Sequence, residues 1–336
     1  MPCFASAVPT FWQNLRATVP GPFLGALGLA AGFLAFVAWD QSHWWRIKED
    51  YSFGWLVPLF VGFVVYDRWP ATLAALRACS ADQSPRVSGW RARILWAGLG
   101  FALVGGVLFF LLGSFLRAGS GTTQPATLAI TTGAACILLP LLFIVAPETS
   151  SPRASGLWAD ARLRLMLGFV FPVLVWLVSA PMVDALESQL SLFLLRRVVT
   201  VVAFVFDVLG LPLEQQGNVL VLPLGSVGVA EACSGIRSLT GCLFAGSFLA
   251  AVFFPQSWKK VTLVAAALGF AFLTNLARSL FLTGWAYRYG PAAIEGLVHD
   301  VAGYAVLVLT VLGLLALIPL LNLRFAPGGP SAGRAA

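Results

Sequence analysis

Long apolar segments follow one another along this chain, and they restrict its possible folds more than any other feature. A helix needs about 20 mostly apolar residues to cross a bilayer. We predict membrane helices at 21–39, 53–67, 94–112, 126–146, 163–181, 234–254, 260–282 and 300–322. Only 10% of the residues are charged and 59% are hydrophobic, whereas about a quarter of a soluble protein is charged. The sequence therefore predicts an all-α polytopic membrane protein with about eight transmembrane helices.

Basic residues occupy four of the predicted loops and ends, and eight crossings place all four on one side of the membrane. They are the loops with Arg68 to Arg93, with Arg153 and Arg162, and with Lys259 and Lys260, and the tail with Arg324 and Arg334. Because cytoplasmic loops are enriched in Lys and Arg, this side is predicted to be cytoplasmic. The outer loops are then 40–52, 113–125, 182–233 and 283–299.

The same assignment sets the domain organisation. We predict a cytoplasmic N-terminal segment 1–20, a single transmembrane domain 21–322 and a cytoplasmic tail 323–336. The net charge is +7, but the arginines are scattered between apolar runs and form no basic patch on a solvated domain. A nucleic-acid partner is therefore not expected.

Residues 190–209 are apolar enough to cross the membrane, yet we predict an interfacial or re-entrant helix on the outer side. They contain Arg196, Arg197 and Asp207, and a ninth crossing would move Lys259 and Lys260 to the outside. After this helix, residues 217–222 and 227–231 alternate around Pro223-Leu224-Gly225-Ser226. This pattern predicts a small β-hairpin before the sixth membrane helix.

A short polar stretch with a cysteine opens directly into the sixth membrane helix. Residues 229–239 hold Glu231, Cys233, Ser234 and Arg237, and polar groups at membrane depth usually have a function because they are costly there. The structural alternative is a helix start in which Ser234 or Glu231 caps free amides and Arg237 extends to the headgroups. The five cysteines show neither paired spacing nor a CxxC motif, so neither a disulfide framework nor a metal site is expected.

Two further polar residues are predicted to lie at the depth of Cys233. Arg278 lies about one turn from the outer end of the seventh helix, and His299 lies at the outer start of the eighth. Taken singly, each is better explained as an interfacial residue that faces the headgroups. The coincidence of three such residues from three helices favours a site.

The three side chains suit nucleophilic catalysis. A thiol at a helix N-terminus, with Arg237 one turn later on the same face, is favoured as thiolate, so Cys233 is the candidate nucleophile. His299 is predicted to take the thiol proton and to protonate the leaving amine. Arg278 suits an oxyanion or a substrate carbonyl. Asn275 or Asp300 either orients these groups or caps a helix, and no cofactor is expected.

At these residues the chain resembles the exosortase/archaeosortase family of membrane-embedded cysteine transpeptidases. The resemblance rests on Glu231-Ala232-Cys233-Ser234-Gly235-Ile236-Arg237-Ser238, on Asn275-Leu276-Ala277-Arg278 and on His299, in that order and spacing. It extends more weakly to Tyr51-Ser52-Phe53-Gly54, where phenylalanine replaces the family's usual histidine. The resemblance covers roughly residues 25–322.

The resemblance implies a protein-sorting enzyme in a bacterial inner membrane. Family members are thought to recognise a C-terminal signal that consists of a short motif (Pro-Glu-Pro in the bacterial type), a transmembrane helix and a basic tail. They are thought to cut near the motif and to transfer the product to an acceptor. The expected partners are such membrane-anchored proteins and the lipid bilayer. The substrate helix would pack on small residues such as Gly241, Ala245 and Gly246, unless these serve packing within the protein itself.

Two other functions use the same residues. A membrane cysteine protease would form the same thioester and hydrolyse it, and sequence does not separate this from transfer. A transporter or non-catalytic scaffold would use the polar residues to line a pathway or to bind headgroups. Against the second, the halves of the chain show no internal repeat, and few ionisable residues lie at mid-membrane.

Overall fold

The computed structural model describes residues 18–228 and 236–322, and helices dominate both ranges. Among these residues, seven helices are long and apolar enough to cross a membrane. The number is eight if the pair Glu49–Asp67 and Trp69–Ser80, bent by 55°, counts as one span. Each of the eight predicted segments overlaps one of these helices, so the predicted fold class is confirmed.

The helices and strands have the following bounds. The helices are α1 Gly21–Ile47, α2 Val57–Asp67, α3 Trp69–Ser80, α4 Gly89–Ser120, α5 Gln124–Ile144, α6 Ala161–Gly168, α7 Val170–Ser179, α8 Asp184–Val208, α9 Ile236–Phe253, α10 Ser257–Tyr289 and α11 Leu297–Asn322. The strands are β1 Pro85–Val87, β2 Arg153–Ser155, β3 Glu214–Gln216, β4 Val219–Leu222 and β5 Gly225–Gly228. The chain divides into two compact units, residues 1–190 and 191–336.

The first unit is a helical bundle in which α4 and α5 approach each other closely. Its core contains Phe23, Leu138 and Phe169, all buried. A Cβ atom on Gly133 of α5 would collide with the backbone of Phe110 on α4. Small residues allow such close approach between membrane helices, where dispersion contacts replace the hydrophobic effect as the driving force.

A buried polar network joins α1, α5 and α7. Gln41 is fully buried; its amide nitrogen donates to the Thr131 hydroxyl over 2.9 Å, and its amide oxygen accepts from the Ser179 hydroxyl over 2.8 Å. Asp40 is also buried and forms an ion pair with Arg117 of α4. The predicted outer loop 40–52 is therefore wrong in its first part, because these polar partners let α1 continue to Ile47.

Two residues of the Tyr51-Ser52-Phe53-Gly54 stretch have structural roles. The stretch forms a 3-10 helix, Glu49–Leu56. The Tyr51 side chain is fully buried, and its hydroxyl accepts a hydrogen bond from the Met182 backbone N–H over 3.0 Å. A Cβ atom on Gly54 would collide with the Trp45 ring. Packing thus explains the tyrosine and the glycine without assigning them to catalysis.

Two of the arginines used for the orientation lie in a buried ionic cluster. Arg86 lies in β1, which pairs parallel with β2, and Arg162 lies at the start of α6. Both guanidinium groups face the buried carboxylate of Asp160, at 3.8 Å from Arg86 and 3.1 Å from Arg162. Burial by itself would raise the pKa of the Asp160 carboxyl, but the hydrogen bonds from Arg162 and from the Val87 N–H outweigh it and hold this pKa below its usual range.

Loss of this carboxylate should destabilise the first unit. Asp160→Asn removes the buried anion that both guanidinium groups face and leaves Arg162 only the exposed carboxylate of Glu148 at 3.8 Å; breaking a buried ion pair in this way costs about 3–5 kcal/mol. We expect a clearly lower Tm for the detergent-purified variant. Because the folded pKa is depressed, the carboxylate stabilises the wild type above its unfolded pKa of about 3.9 and loses this effect as pH falls through the folded pKa. The stability of Asp160→Asn should not show this loss at acidic pH.

The exposed Asp82 provides the control for that experiment. Asp82→Asn should change the free energy of unfolding by no more than about 0.5 kcal/mol, as expected for an exposed site, and should leave the Tm close to that of the wild type. Equal Tm values for Asp160→Asn and Asp82→Asn would show that the buried cluster does not stabilise the unit.

In the second unit, α8 packs against a three-stranded antiparallel sheet and against α10. Val198 and Val202 of α8 share a buried cluster with Leu220 of β4 and Leu282 of α10. The segment predicted at 190–209 is thus part of a helix that begins at Asp184 and ends at Val208. It is not among the candidate membrane spans.

The predicted hairpin is present, with a shorter turn and an additional strand. β4 pairs antiparallel with β5, and Leu222 faces Gly225, so the turn is Pro223-Leu224 rather than four residues. β3 pairs antiparallel with the other edge of β4. The turn between β3 and β4 contains Gly217, whose φ of 64° favours glycine. Leu222 and Val227 pack on Ala286, near the end of α10.

α10 is longer than predicted. It has 33 residues, Ser257–Tyr289, which span ~50 Å at 1.5 Å per residue and exceed the ~30 Å hydrocarbon core of a bilayer. The prediction ended at residue 282 because Trp285, Tyr287 and Arg288 lower the local hydropathy. These residues stay helical since Ala286 and Tyr287 pack against the sheet.

The three small residues of α9 differ in their surroundings. A Cβ atom on Gly246 would meet the Ala267 side chain of α10, and Ala245 packs in the cluster that joins α9, α10 and α11. A Cβ atom on Gly241 would meet nothing within 4 Å. Gly246 therefore serves packing within the protein itself, which was the alternative to substrate contact.

Candidate active site

Arg278 lies well inside α10 rather than near its end. It precedes the last helical residue, Tyr289, by three turns, or ~16 Å. The prediction that it lies about one turn from the helix end is therefore wrong, because residues 283–289 continue the helix. His299 lies in the first turn of α11, and the segment 290–296 connects the two helices. The contact between the two side chains therefore lies along α10 and not at its end.

A short hydrogen bond joins the two side chains. Nη2 of Arg278 lies 2.8 Å from Nε2 of His299 and 3.5 Å from the His299 backbone oxygen. A guanidinium group has only donors, so Nε2 must be the accepting, unprotonated nitrogen. His299 is therefore neutral in this arrangement, with its proton on Nδ1.

Gly303 lies beside the Arg278 guanidinium. It follows His299 by one turn on α11, and a Cβ atom there would make an ordinary van der Waals contact with Nη2 of Arg278 at 3.6 Å. Sequence reasoning missed this residue, although the spacing of four between His299 and Gly303 places both on one helix face.

Asn275 lies one turn before Arg278 on the same face of α10 and is buried. Within the described ranges, its Oδ1 has no hydrogen-bond partner, and neither has Nε of Arg278. The adjacent hydroxyls are engaged elsewhere: that of Ser279 donates to the Asn275 backbone oxygen, and that of Thr274 donates to the Phe270 backbone oxygen. Among the described residues, the site thus holds one acceptor without a partner, Oδ1 of Asn275, and one such donor, Nε of Arg278.

The first turn of α9 lies near the same imidazole. Arg237 acts electrostatically on His299, together with Arg278 and Asp300. Arg237 and Asp300 are both exposed. Cys233 precedes Arg237 by four residues, so it is close to this turn in the chain.

The predicted site residues therefore divide into two sets. Arg278, His299 and Asn275 lie together, and Arg237 and Asp300 exert charge on the same imidazole. Glu231, Cys233 and Ser234 lie outside the described residues. Within the part of the chain that is described, no group of three or more His, Cys, Asp or Glu side chains is placed to hold a metal ion.

These features define a class of protein: a polytopic membrane protein with a polar site between membrane helices. Residues 44–316 match the model of the transmembrane exosortase family (Exosortase_EpsH). The chain belongs to this family, and it is thus a membrane enzyme that processes proteins for sorting. No curated protein and no solved structure matches the chain significantly.

Proposed function

We propose that this protein cuts membrane-anchored proteins at a C-terminal sorting signal and transfers the product to an acceptor through a thioester on Cys233. The signal would consist of a Pro-Glu-Pro-like motif, a transmembrane helix and a basic tail. The observation that carries the proposal is the 2.8 Å contact between Arg278 and His299.

The first step is activation of the thiol. The lone pair of His299 Nε2 is engaged by Arg278, so the imidazole accepts the Cys233 proton only after Arg278 moves away from it. A substrate carbonyl offers the guanidinium a new acceptor. Substrate binding and thiol activation are thereby coupled, and the free enzyme is protected from unproductive thiolate chemistry.

The second step is acylation. The Cys233 thiolate attacks the carbonyl carbon, and Arg278 stabilises the oxyanion that forms. When the oxyanion collapses, the C–N bond breaks, and the leaving amine takes the proton that His299 received from the thiol. The N-terminal part of the substrate remains on Cys233 as a thioester.

The third step releases the product. An acceptor nucleophile attacks the thioester carbonyl, the thiolate leaves, and His299 relays the acceptor's proton to it. Water in place of the acceptor would give hydrolysis. Glu231 and Ser234 are proposed to support the nucleophile, and Asp300 to support the imidazole; the reaction as written needs no metal or cofactor.

We further propose that the site faces the extracytoplasmic side of a bacterial inner membrane, with both termini in the cytoplasm. The positive-inside pattern of the loops supports this orientation. The substrate helix would lie in the bilayer beside the enzyme, and its motif would reach the site from the outer surface.

A reporter protein tests the proposed function. The reporter carries a Pro-Glu-Pro-type motif, an apolar helix and an arginine-rich tail, and it is co-expressed with the enzyme. We expect a smaller reporter that loses its membrane anchor or gains an acceptor, as seen by gel mobility and mass spectrometry. A reporter with the motif replaced by glycine and serine should remain intact. Equal handling of both reporters would favour a scaffold or a transporter.

A further inference from the structure

The polar site contains two buried atoms whose hydrogen-bonding capacity is unused. Asn275 is 4% exposed, and its Oδ1 is an acceptor without a partner in residues 18–228 and 236–322. Nε of Arg278 is a buried donor that likewise has no hydrogen-bond partner in these residues. Buried polar groups are nearly always paired, so a pair of such groups at one place requires an explanation.

The two atoms complement one extended residue of a peptide. They lie one turn apart on the same face of α10, where side chains three residues apart are neighbours. In an antiparallel sheet, a hydrogen-bonded residue pair exchanges both bonds, the N–H and the C=O of one residue pointing to the same side. Oδ1 of Asn275 and Nε of Arg278 supply one acceptor and one donor, the two kinds of group that such a peptide residue needs.

We propose that Asn275 and Arg278 together bind the backbone of one substrate residue next to the scissile bond. Oδ1 of Asn275 accepts the N–H of that residue, and Nε of Arg278 donates to its C=O. Nη2 of Arg278 remains free to turn from His299 to the oxyanion. This inference rests on the proposed function and assigns Asn275 a substrate-binding role.

The arrangement has a consequence for specificity. A residue without an N–H, such as proline, cannot donate to Asn275, so the enzyme should reject it at the position that Asn275 binds. It should accept many side chains there, because the contact is made to the backbone. The position of a proline within the sorting motif would then set the register in which the substrate binds.

A double-mutant cycle on the full-length protein tests the inference. The substrate is a synthetic peptide with the motif, the apolar helix and the arginine tail, and single amides near the cleavage point are N-methylated in turn. In the wild type, one N-methyl position should lower kcat/KM by about tenfold or more. Asn275→Leu should lower it by a similar factor with the unmodified peptide, and the two losses should not add.

Protein stability separates this role from a structural one. Removing an unpaired buried acceptor should leave the Tm unchanged or raise it, so Asn275→Leu should be less active but no less stable. Ser279→Ala, one turn away and equally buried, is the matched control and should leave kcat/KM unchanged.

Two results would overturn the inference. Additive losses at every N-methyl position would mean that Asn275 does not bind the substrate backbone. A lower Tm for Asn275→Leu with unchanged kcat/KM would mean that the amide supports the fold alone. If the wild type fails to process the unmodified peptide, the proposed function itself fails, and this inference fails with it.

Discussion

Cys233→Ala is expected to abolish processing of the reporter protein. Without the thiol no thioester forms, and loss of a catalytic nucleophile lowers kcat by roughly 10⁴-fold or more in covalent enzymes. Cys233→Ser should be nearly as inactive, because a hydroxyl is far less acidic than a thiol and His299 would have to remove its proton completely. The fraction of processed reporter, measured on gels over time, gives the result.

Cys242→Ala provides the control for this experiment. Cys242 lies on α9, nine residues after Cys233 in the chain, and is buried. Its replacement should leave processing almost unchanged. Normal processing by Cys233→Ala would exclude the cysteine mechanism. The Arg278–His299 contact would then belong to a transport pathway or to a non-catalytic scaffold.

Arg278→Lys should lower processing by about 10²–10³-fold, although the positive charge is kept. In the structure, Arg278 uses Nη2 for His299 and presents Nε beside Asn275. A lysine has a single nitrogen on a flexible stem, so it cannot make the contact with His299 and bind the substrate carbonyl with the same geometry. The loss should appear in kcat/KM, because Arg278 is proposed both to bind the substrate carbonyl and to stabilise the oxyanion that develops from it.

Arg288→Lys is the matched control on the same helix. Arg288 is exposed in the last turn of α10, with its guanidinium 6.0 Å from the Tyr289 ring centroid. Its conservative replacement should leave processing near the wild-type rate. Equal rates for Arg278→Lys and the wild type would show that a point charge suffices at Arg278, which would contradict its role in orienting the oxyanion.

The helices were predictable because lipid imposes strict conditions on the backbone. No water is present in the bilayer core to satisfy N–H and C=O groups, so apolar runs of sufficient length become helices. The residues at which the helices end were less predictable. Asp40 and Gln41 lower the hydropathy of α1, but tertiary partners bury both. Tyr287 likewise extends α10 through contacts with a sheet that local sequence does not reveal.

The residues of the candidate site were predictable only as a set. Motif order and helix depth placed Arg278 and His299 at one level, and the structure places them in contact. The sequence did not indicate that Arg278 occupies the lone pair of His299 Nε2, that Gly303 lies beside the guanidinium, or that Asn275 keeps an acceptor without a partner in the described residues. Each of these depends on how α10 packs against α11, which is a tertiary property.

If Cys233 carries the substrate as a thioester, that adduct should accumulate when no acceptor is present. The purified protein is incubated with the synthetic sorting peptide without an acceptor, quenched in acid and analysed by intact and peptide mass spectrometry. We expect an added mass equal to that of the N-terminal fragment, located on Cys233 and released by hydroxylamine. Processing of the peptide with no adduct, or with the adduct on another residue, would contradict this role of Cys233.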